Sequence, residues 1–426
     1  MRSDAPREAF VWIWLPGRAA PVVAGRLDKA GDRFVFTYGQ SYLAREDAIA
    51  IYEPELPLQR GVHEPSSGLI IASCIRDAAP DAWGRRVIVN RRFGARREAI
   101  DVGQLDELTY LLESGSDRIG ALDFQASATE YSPRDASGAP LNELMQAADR
   151  VQAGTALTST LDQVLFHGSS IGGARPKANI QQGARKFIAK FSTSSDVFDV
   201  VRGEYVAMRL AARVGLDVAP VQLVKTAGRD VLLVERFDRH ATAMGWMRSP
   251  MVSALTLLGL DEMMARYASY EDLCEIVRRR FDTPRETLRE LFGRLVFNVL
   301  VGNTDDHARN HAAFWNGRSL TLTPAYDICP QGRSGNEASQ AMLVHGDQRR
   351  SQLTLCRAAA PAFLITEAEA DAIIVGQVEA IQTVWGEVCE EADLGLVARR
   401  TMWRRQILNP YVFEGMEGPM GRLAFA

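Results

Sequence analysis

Three oxygen-bearing side chains stand out in the second half of the chain. They are Asp305 and Asn310, in the segment Thr304-Asp305-Asp306-His307-Ala308-Arg309-Asn310, and Asp327. Phosphoryl transfer needs such a group. One carboxylate orients the attacking hydroxyl and accepts its proton, while an amide oxygen and a second carboxylate hold Mg²⁺ on the phosphates. Asp305 and Asn310 have the Asp-x₄-Asn spacing of a kinase catalytic loop, and Asp327 stands where a metal-binding Asp would follow. Singly, each is an ordinary loop residue; the ordered set points to chemistry. His307 and His311, four apart, also raise a zinc reading. The segment is loop-like, however, and lacks the Glu of an HExxH site. His307 is expected to brace the loop.

The elements around this segment are legible. Leu288, Leu291, Phe292, Leu295, Val296 and Val299 repeat at helical spacing. Thr283 and Glu286 are expected to form a capping box, Pro284 suits the first helical position, and Gly302 ends the helix. After Asn310, Ala312–Trp315 and Leu320–Thr323 read as strands, with the hairpin signal Asn316-Gly317 between them. A hairpin reverses the chain, so Asp327 should return to Asn310.

Upstream, Gly168-Ser169-Ser170-Ile171-Gly172-Gly173-Ala174-Arg175-Pro176-Lys177 is glycine-rich and cationic. Glycines let backbone N–H groups approach phosphate. The run matches neither GxGxxG nor a Walker A sequence, and a plain β-turn is the competing reading. In the strand Lys186–Phe191, Lys190 can reach phosphate, and Glu204 in the following helix is a candidate partner. That helix is read from Glu204 to Val214, ended by Gly215. Val231 to Asp238 is a buried strand running into a polar segment, with Phe237 either on a base or in the core.

The 426 residues suggest several structural units, and a 46% apolar fraction can build their cores. A net charge of -4 makes the whole chain a poor match for nucleic acid, although the basic runs Arg85–Arg97 and Arg399–Arg405 are candidates for a local contact or for solvated helix faces. Five scattered cysteines suggest reduced thiols, no apolar run reaches the roughly 20 residues of a membrane helix, and a cytoplasmic location is expected. Strands are read at Phe10–Leu15 and Phe34–Thr37, helices at Leu105–Leu112 and Leu141–Val151, and a linker at 126–140. Beyond about residue 250 the chain reads as mainly helical. The expected divisions are 1–125, a mixed N-terminal subdomain; 126–240, a β-rich nucleotide-binding lobe; and 241–426, a helical catalytic lobe.

Six segments, in order, resemble the HipA family of serine/threonine kinase toxins. They are Ala79–Arg86, Asp117–Leu122, Ser170–Lys177, Val234–Arg239, Gly302–Asn310 and Leu322–Asp327. The resemblance implies an α+β, two-lobed, protein-kinase-like fold related to lipid kinases, with an extra N-terminal subdomain. It implies Asp305 as catalytic base, Asn310 and Asp327 as Mg²⁺ ligands, and Lys190 as the lysine on the ATP phosphates. Ser170, Gly172, Gly173, Lys177, Glu235, Phe237, His307 and Asn310 would complete the ATP site, with Glu235 and Phe237 at the adenine hinge. Ser170 matches the serine that members autophosphorylate, and Ser169 is a neighbouring acceptor. The implied partners are a small helix-turn-helix antitoxin resembling HipB, operator DNA mainly through it, and a protein substrate such as an aminoacyl-tRNA synthetase; no membrane is implied. Asp306 is acidic where some members carry Gly, but the spacing favours Asp305 as base. A small-molecule kinase and a non-catalytic co-repressor are the alternatives on this scaffold.

Overall fold

The computed structural model describes residues 6–66, 68–93, 105–134, 139–155, 175–193, 199–333, 335–417 and 421. The chain forms two compact units. The first comprises Met1–Ser194, Val224–Val252 and Phe314–Arg318; the second comprises Ser195–Leu223, Ser253–Ala313 and Ser319–Ala426.

The first unit holds two antiparallel sheets. One has the order β4-β3-β2-β1-β5, from β1 (Glu8–Ile13), β2 (Val22–Ala30), β3 (Arg33–Tyr38), β4 (Val62–His63) and β5 (Leu122–Gln125). Alternation sets its inner face: Phe34, Phe36 and Tyr38 of β3 are buried while the residues between them are not. The other has the order β6-β7-β9-β8, from β6 (Lys177–Gln182), β7 (Arg185–Phe191), β8 (Val221–Thr226) and β9 (Arg229–Glu235). Phe187, Ala189 and Phe191 of β7 join Ala178, Val231 and Leu233 in one core. Against them pack Trp83 and Val87 of α1 (Ala82–Phe93), and Leu144, Ala148 and Val151 of α3 (Leu141–Gln152). Between those helices lies α2 (Glu107–Glu113). β10 (Arg239–Thr242) and β11 (Gly245–Arg248) form a separate hairpin, and β12 (Met251–Ser253) follows.

The turn-rich segment after residue 126 is no free tether. The Tyr131 hydroxyl and the Arg134 guanidinium both donate to buried Asp123, and Arg134 also donates to the Ser114 carbonyl. Such anchors lie outside turn propensity, which reports only on local backbone.

The second unit is mainly helical, with α4 (Val200–Arg213), α5 (Tyr270–Arg280), α6 (Pro284–Val301) and α7 (Glu367–Glu391). α4 begins four residues before the expected Glu204, because the Asp199 side chain accepts from the Arg202 N–H and caps it there. Gly215, at φ +87°, follows its end as the sequence predicts. α6 is buried nearly all round, as befits a central helix. Its expected capping box does not form: Thr283 makes no side-chain cap bond. The entry to α6 is fixed instead by the Asp282 N–H donating to the Leu320 carbonyl, which leaves Thr283 at ψ 74°. Thr366, which does form a capping box at the start of α7, has ψ 159°. All five cysteines are buried and free. Among the described residues no helix is long and apolar enough to cross a membrane.

Candidate active site

α6 delivers the candidate segment Thr304–Asn310. It ends at Gly302 in the left-handed region, φ +69°, and a Cβ there would lie 2.7 Å from the Gln406 carbonyl oxygen. Only glycine fits this turn without strain. Asp305 comes next, on the exposed side of a tight bend, while Asp306 turns inward and is buried. A 3₁₀ turn, Ala308–Asn310, closes the segment, with the Asn310 N–H donating to the His307 carbonyl at 2.8 Å. The Asn310 side-chain nitrogen donates to the Asp305 carbonyl at 3.2 Å. That bond commits the amide nitrogen and leaves Oδ1 as the atom that can meet a cation.

The hairpin of β13 (Ala312–Trp315) and β14 (Leu320–Leu322) forms as expected. The Thr323 N–H donates to the Ala312 carbonyl at 3.0 Å, and the Tyr326 hydroxyl to the Arg309 carbonyl at 2.7 Å. Arg294, buried in α6, donates to the carbonyls of Thr323 and Asp217. Ala325 bridges Asp217 and Ala219 through two backbone hydrogen bonds. So held, the chain reaches Asp327, which adopts φ +60°, unusual for a non-glycine residue and a conformation Asp tolerates better than most.

Electrostatics report the result. Partial desolvation of its carboxyl raises Asp305 above the usual carboxylate range although the residue lies on the exposed side, and the charges of Asp327 and Asp306 push it further in the same direction. Only His307 opposes them. Asp327 is thus close enough to act on the Asp305 carboxyl through its charge. Among the described residues no group of three His, Cys, Asp or Glu side chains is placed to hold a metal ion, so Mg²⁺ here would rely on amide and carboxylate oxygens with part of its water shell retained. His307 Nδ1 is buried and has no hydrogen-bond partner among the described residues. His311 does not behave as a metal ligand: its Nε2 lies 2.9 Å from Asp306 Oδ1 and 3.3 Å from the Tyr270 hydroxyl.

In the first unit, Lys177 and Lys190 are register partners on β6 and β7. Directly paired residues share a face, and like charges so placed repel. The alternation that buries Phe187, Ala189 and Phe191 puts both lysines on the opposite face of the sheet, a suitable surface for polyphosphate. Lys177 is itself well buried, and its carbonyl accepts from Trp83 Nε1 at 3.0 Å. Glu204 is buried within α4. The Glu235 side chain pairs with Arg185 at 3.4 Å, and Phe237 packs edge-on against Phe314 at 5.9 Å. Ser169, Ser170, Gly172 and Gly173 lie outside the described residues.

The structure adds residues that the sequence reading passed over. Tyr270 at the start of α5 donates its hydroxyl to Asp306, 36 residues away in sequence. Burial and the Asp306 charge push that phenol well above its usual range, so it stays protonated as a donor. Arg236, Asp238 and Arg239, which flank the hinge candidates, are buried. They interlock with Asp117, Arg118 and Gly120 through bonds such as the Gly120 N–H to Asp238 at 2.8 Å. The basic run of α1 is also engaged internally: Arg85 binds both oxygens of Glu107 at 2.7 Å, and Arg92 pairs with Glu113 at 3.0 Å.

Comparison with known proteins gives these motifs a lineage. The chain is 35% identical over 131 residues to Y4mE of Sinorhizobium fredii, a protein named as a kinase, covering 29% of this chain and 31% of that one. It is 27% identical over 183 residues to the serine/threonine-protein kinase toxin HipA of Shewanella oneidensis, covering 37% of this chain and 42% of the relative. The matched stretches thus span about a third to two fifths of these curated relatives. A solved chain from the Shewanella oneidensis MR-1 toxin–antitoxin complex of HipA, HipB and operator DNA superposes with a TM-score of 0.66 at 18% identity, covering 93% of this chain and 96% of that chain. The α+β, kinase-like fold is therefore shared over nearly the full length. The sequence model of the HipA N-terminal domain matches residues 13–125, that of the HipA-like C-terminal domain matches residues 169–385, half of the chain, and the chain belongs to the HipA family.

Proposed function

We propose that this chain is an ATP- and Mg²⁺-dependent serine/threonine protein kinase, acting as the toxin of a toxin–antitoxin pair. The observation that carries the reading is the loop in which the Asn310 amide is fixed to the Asp305 backbone, with the Asp327 charge acting on the Asp305 carboxyl. In this reading Asp305 orients a substrate hydroxyl and takes its proton as the oxygen attacks the γ-phosphorus. The bond to the β-phosphate breaks and ADP leaves. Asn310 Oδ1 and the Asp327 carboxylate would hold Mg²⁺, which supplies neutralisation of phosphate charge when bound. Lys190 and Lys177 bind the phosphates, with Gly172 and Gly173 of the preceding loop. His307 would complete the ATP site from the catalytic-loop side, and the segment at Glu235 and Phe237 would meet adenine. The two relatives named as kinases and the shared HipA fold support this activity class.

The same reading assigns the partners. A HipB-like antitoxin would bind the chain and carry most of the operator DNA contact, in keeping with the net charge of -4 and the paired arginines of α1. The substrate is a translation component such as an aminoacyl-tRNA synthetase. Ser170, with Ser169 as second acceptor, is the self-modification site, where a phosphate adds about -1.5 to -2 charge and would repel ATP. The test is incubation with γ-labelled ATP and Mg²⁺. Wild type should label itself at Ser170, and Asp305→Ala and Asp327→Ala should lose labelling by at least about 100-fold. Equal labelling in wild type and Asp305→Ala would overturn the assignment.

A further inference from the structure

Asp306 lies in sequence between the proposed base and the proposed metal ligand, yet its carboxylate bonds to Tyr270 and His311. It is 1% exposed, and its partners Tyr270 and His311 are 0% and 3% exposed. Asp306 Oδ2 accepts from the Tyr270 hydroxyl, and Oδ1 lies 2.9 Å from His311 Nε2. The Tyr270 and His311 rings also meet nearly edge-on, with centroids 5.5 Å apart. A carboxylate only accepts, so His311 carries its proton on Nε2. Asp306 follows Asp305 directly, and His311 follows Asn310 directly. One bond, Asp306 to His311, therefore spans the loop and closes it from behind at both functional ends.

Tyr270 anchors that closure to a rigid element. It begins α5, where the Ser269 side chain caps the helix by accepting from the N–H groups of Glu271 and Asp272. Its own N–H donates to the Leu343 carbonyl, so its backbone is fixed as well. At the far end of the loop, the His311 carbonyl accepts from the Ala254 N–H at 2.7 Å. Burying a carboxylate is costly unless its hydrogen bonds are satisfied, and here both oxygens are. Such a buried, satisfied group fixes geometry, and catalytic loops lose rate when displaced by even an ångström.

We propose that Tyr270, Asp306 and His311 form a staple that sets the separation and direction of Asp305 and Asn310. The inference rests on the kinase reading for its effect on rate. The three are positioning residues; none touches the substrate.

The experiment uses the full chain as Tyr270→Phe, Asp306→Asn and the double variant. Steady-state phosphoryl transfer and hydrogen–deuterium exchange are read on each. Tyr270→Phe should lower kcat about tenfold, and Asp306→Asn by about ten- to a hundredfold, with KM for ATP within about twofold of wild type. The double variant should be no slower than Asp306→Asn, because both changes remove one shared bond. Amide exchange should rise in residues 303–311 and stay unchanged in β7. An unaltered kcat in an active Tyr270→Phe enzyme would overturn the staple, as would faster exchange spread evenly through the second unit. Absence of transfer by wild type would sink the kinase reading instead, and exchange at 303–311 would still decide whether Tyr270 holds the loop. Should Asp306→Asn fail to fold, Tyr270→Phe alone carries the decision.

Discussion

Two carboxylates held side by side repel unless a proton or a cation joins them. The Asp305 carboxyl is raised first by partial desolvation, and the charges of Asp327 and Asp306 add to that. A catalytic arrangement of this sort costs the fold stability. Asp305→Asn should therefore raise the melting temperature in the absence of divalent ions while abolishing phosphoryl transfer. Added Mg²⁺ should stabilise wild type more than Asp327→Asn, since a cation that binds only the folded state shifts the equilibrium by mass action. Differential scanning calorimetry with and without Mg²⁺ reads both effects; an Asp305→Asn chain that melts below wild type in metal-free buffer would contradict them. At this scale the sequence was informative wherever chemistry repeats a spacing, as Asp-x₄-Asn does. It was silent on Tyr270, whose partner stands 36 residues away with no periodic signal linking them. It also left Asp306 as a second candidate base, and only burial shows that this carboxylate is committed to Tyr270 and His311.

Elements decide how far such residues can stray. The sharpest constraint is at Gly302, where φ is +69° and a side chain would press on the Gln406 carbonyl, a backbone atom with little room to give. Gly302→Ala should cost about 2–4 kcal/mol from the left-handed backbone and the overlap together. It should also lower transfer activity, because the loop from Asn303 to Asn310 starts there; urea unfolding and labelling assays on the purified variant check both. The helix before this glycine and the hairpin after the loop were legible because each carries a local rule: apolar spacing in α6, Asn-Gly between β13 and β14. The failed cap at Thr283 has the opposite origin. A long-range strand-like bond from Asp282 to Leu320 fixes the backbone there, so tertiary geometry overrides the local motif. Asp199 capping α4 likewise extended that helix beyond its apolar pattern. The phosphate-loop glycines and Ser170 remain a matter of sequence, outside the described residues.

At the scale of the whole molecule, the family motifs divide their labour. Gly302–Asn310 and Leu322–Asp327 build the candidate site. Asp117–Leu122 and Val234–Arg239 instead build a buried ionic network in the first unit, joining residues 118 apart in sequence such as Gly120 and Asp238. Burial alone would push Asp238 up, but the guanidiniums of Arg236 and Arg239 overcome it and hold the carboxyl at about 2. Asp117 is likewise held well below the usual range, against burial, by Arg236, Arg239 and Lys186. The folded state thus binds these protons less tightly than the unfolded chain. Their stabilisation is present in full above about pH 4 and is lost as pH falls toward about 2, with Asp238 contributing roughly 2 kcal/mol. Asp238→Asn leaves two buried guanidiniums short of charge, so it should cost about 3–5 kcal/mol at pH 7. Below pH 4 the gap from wild type should narrow, because protonation removes the same charge there. Urea unfolding of both chains between pH 7 and pH 2.5 measures the gap. A gap of constant size across that range would mean that the network acts through shape and hydrogen bonding, and that the Asp238 charge contributes nothing.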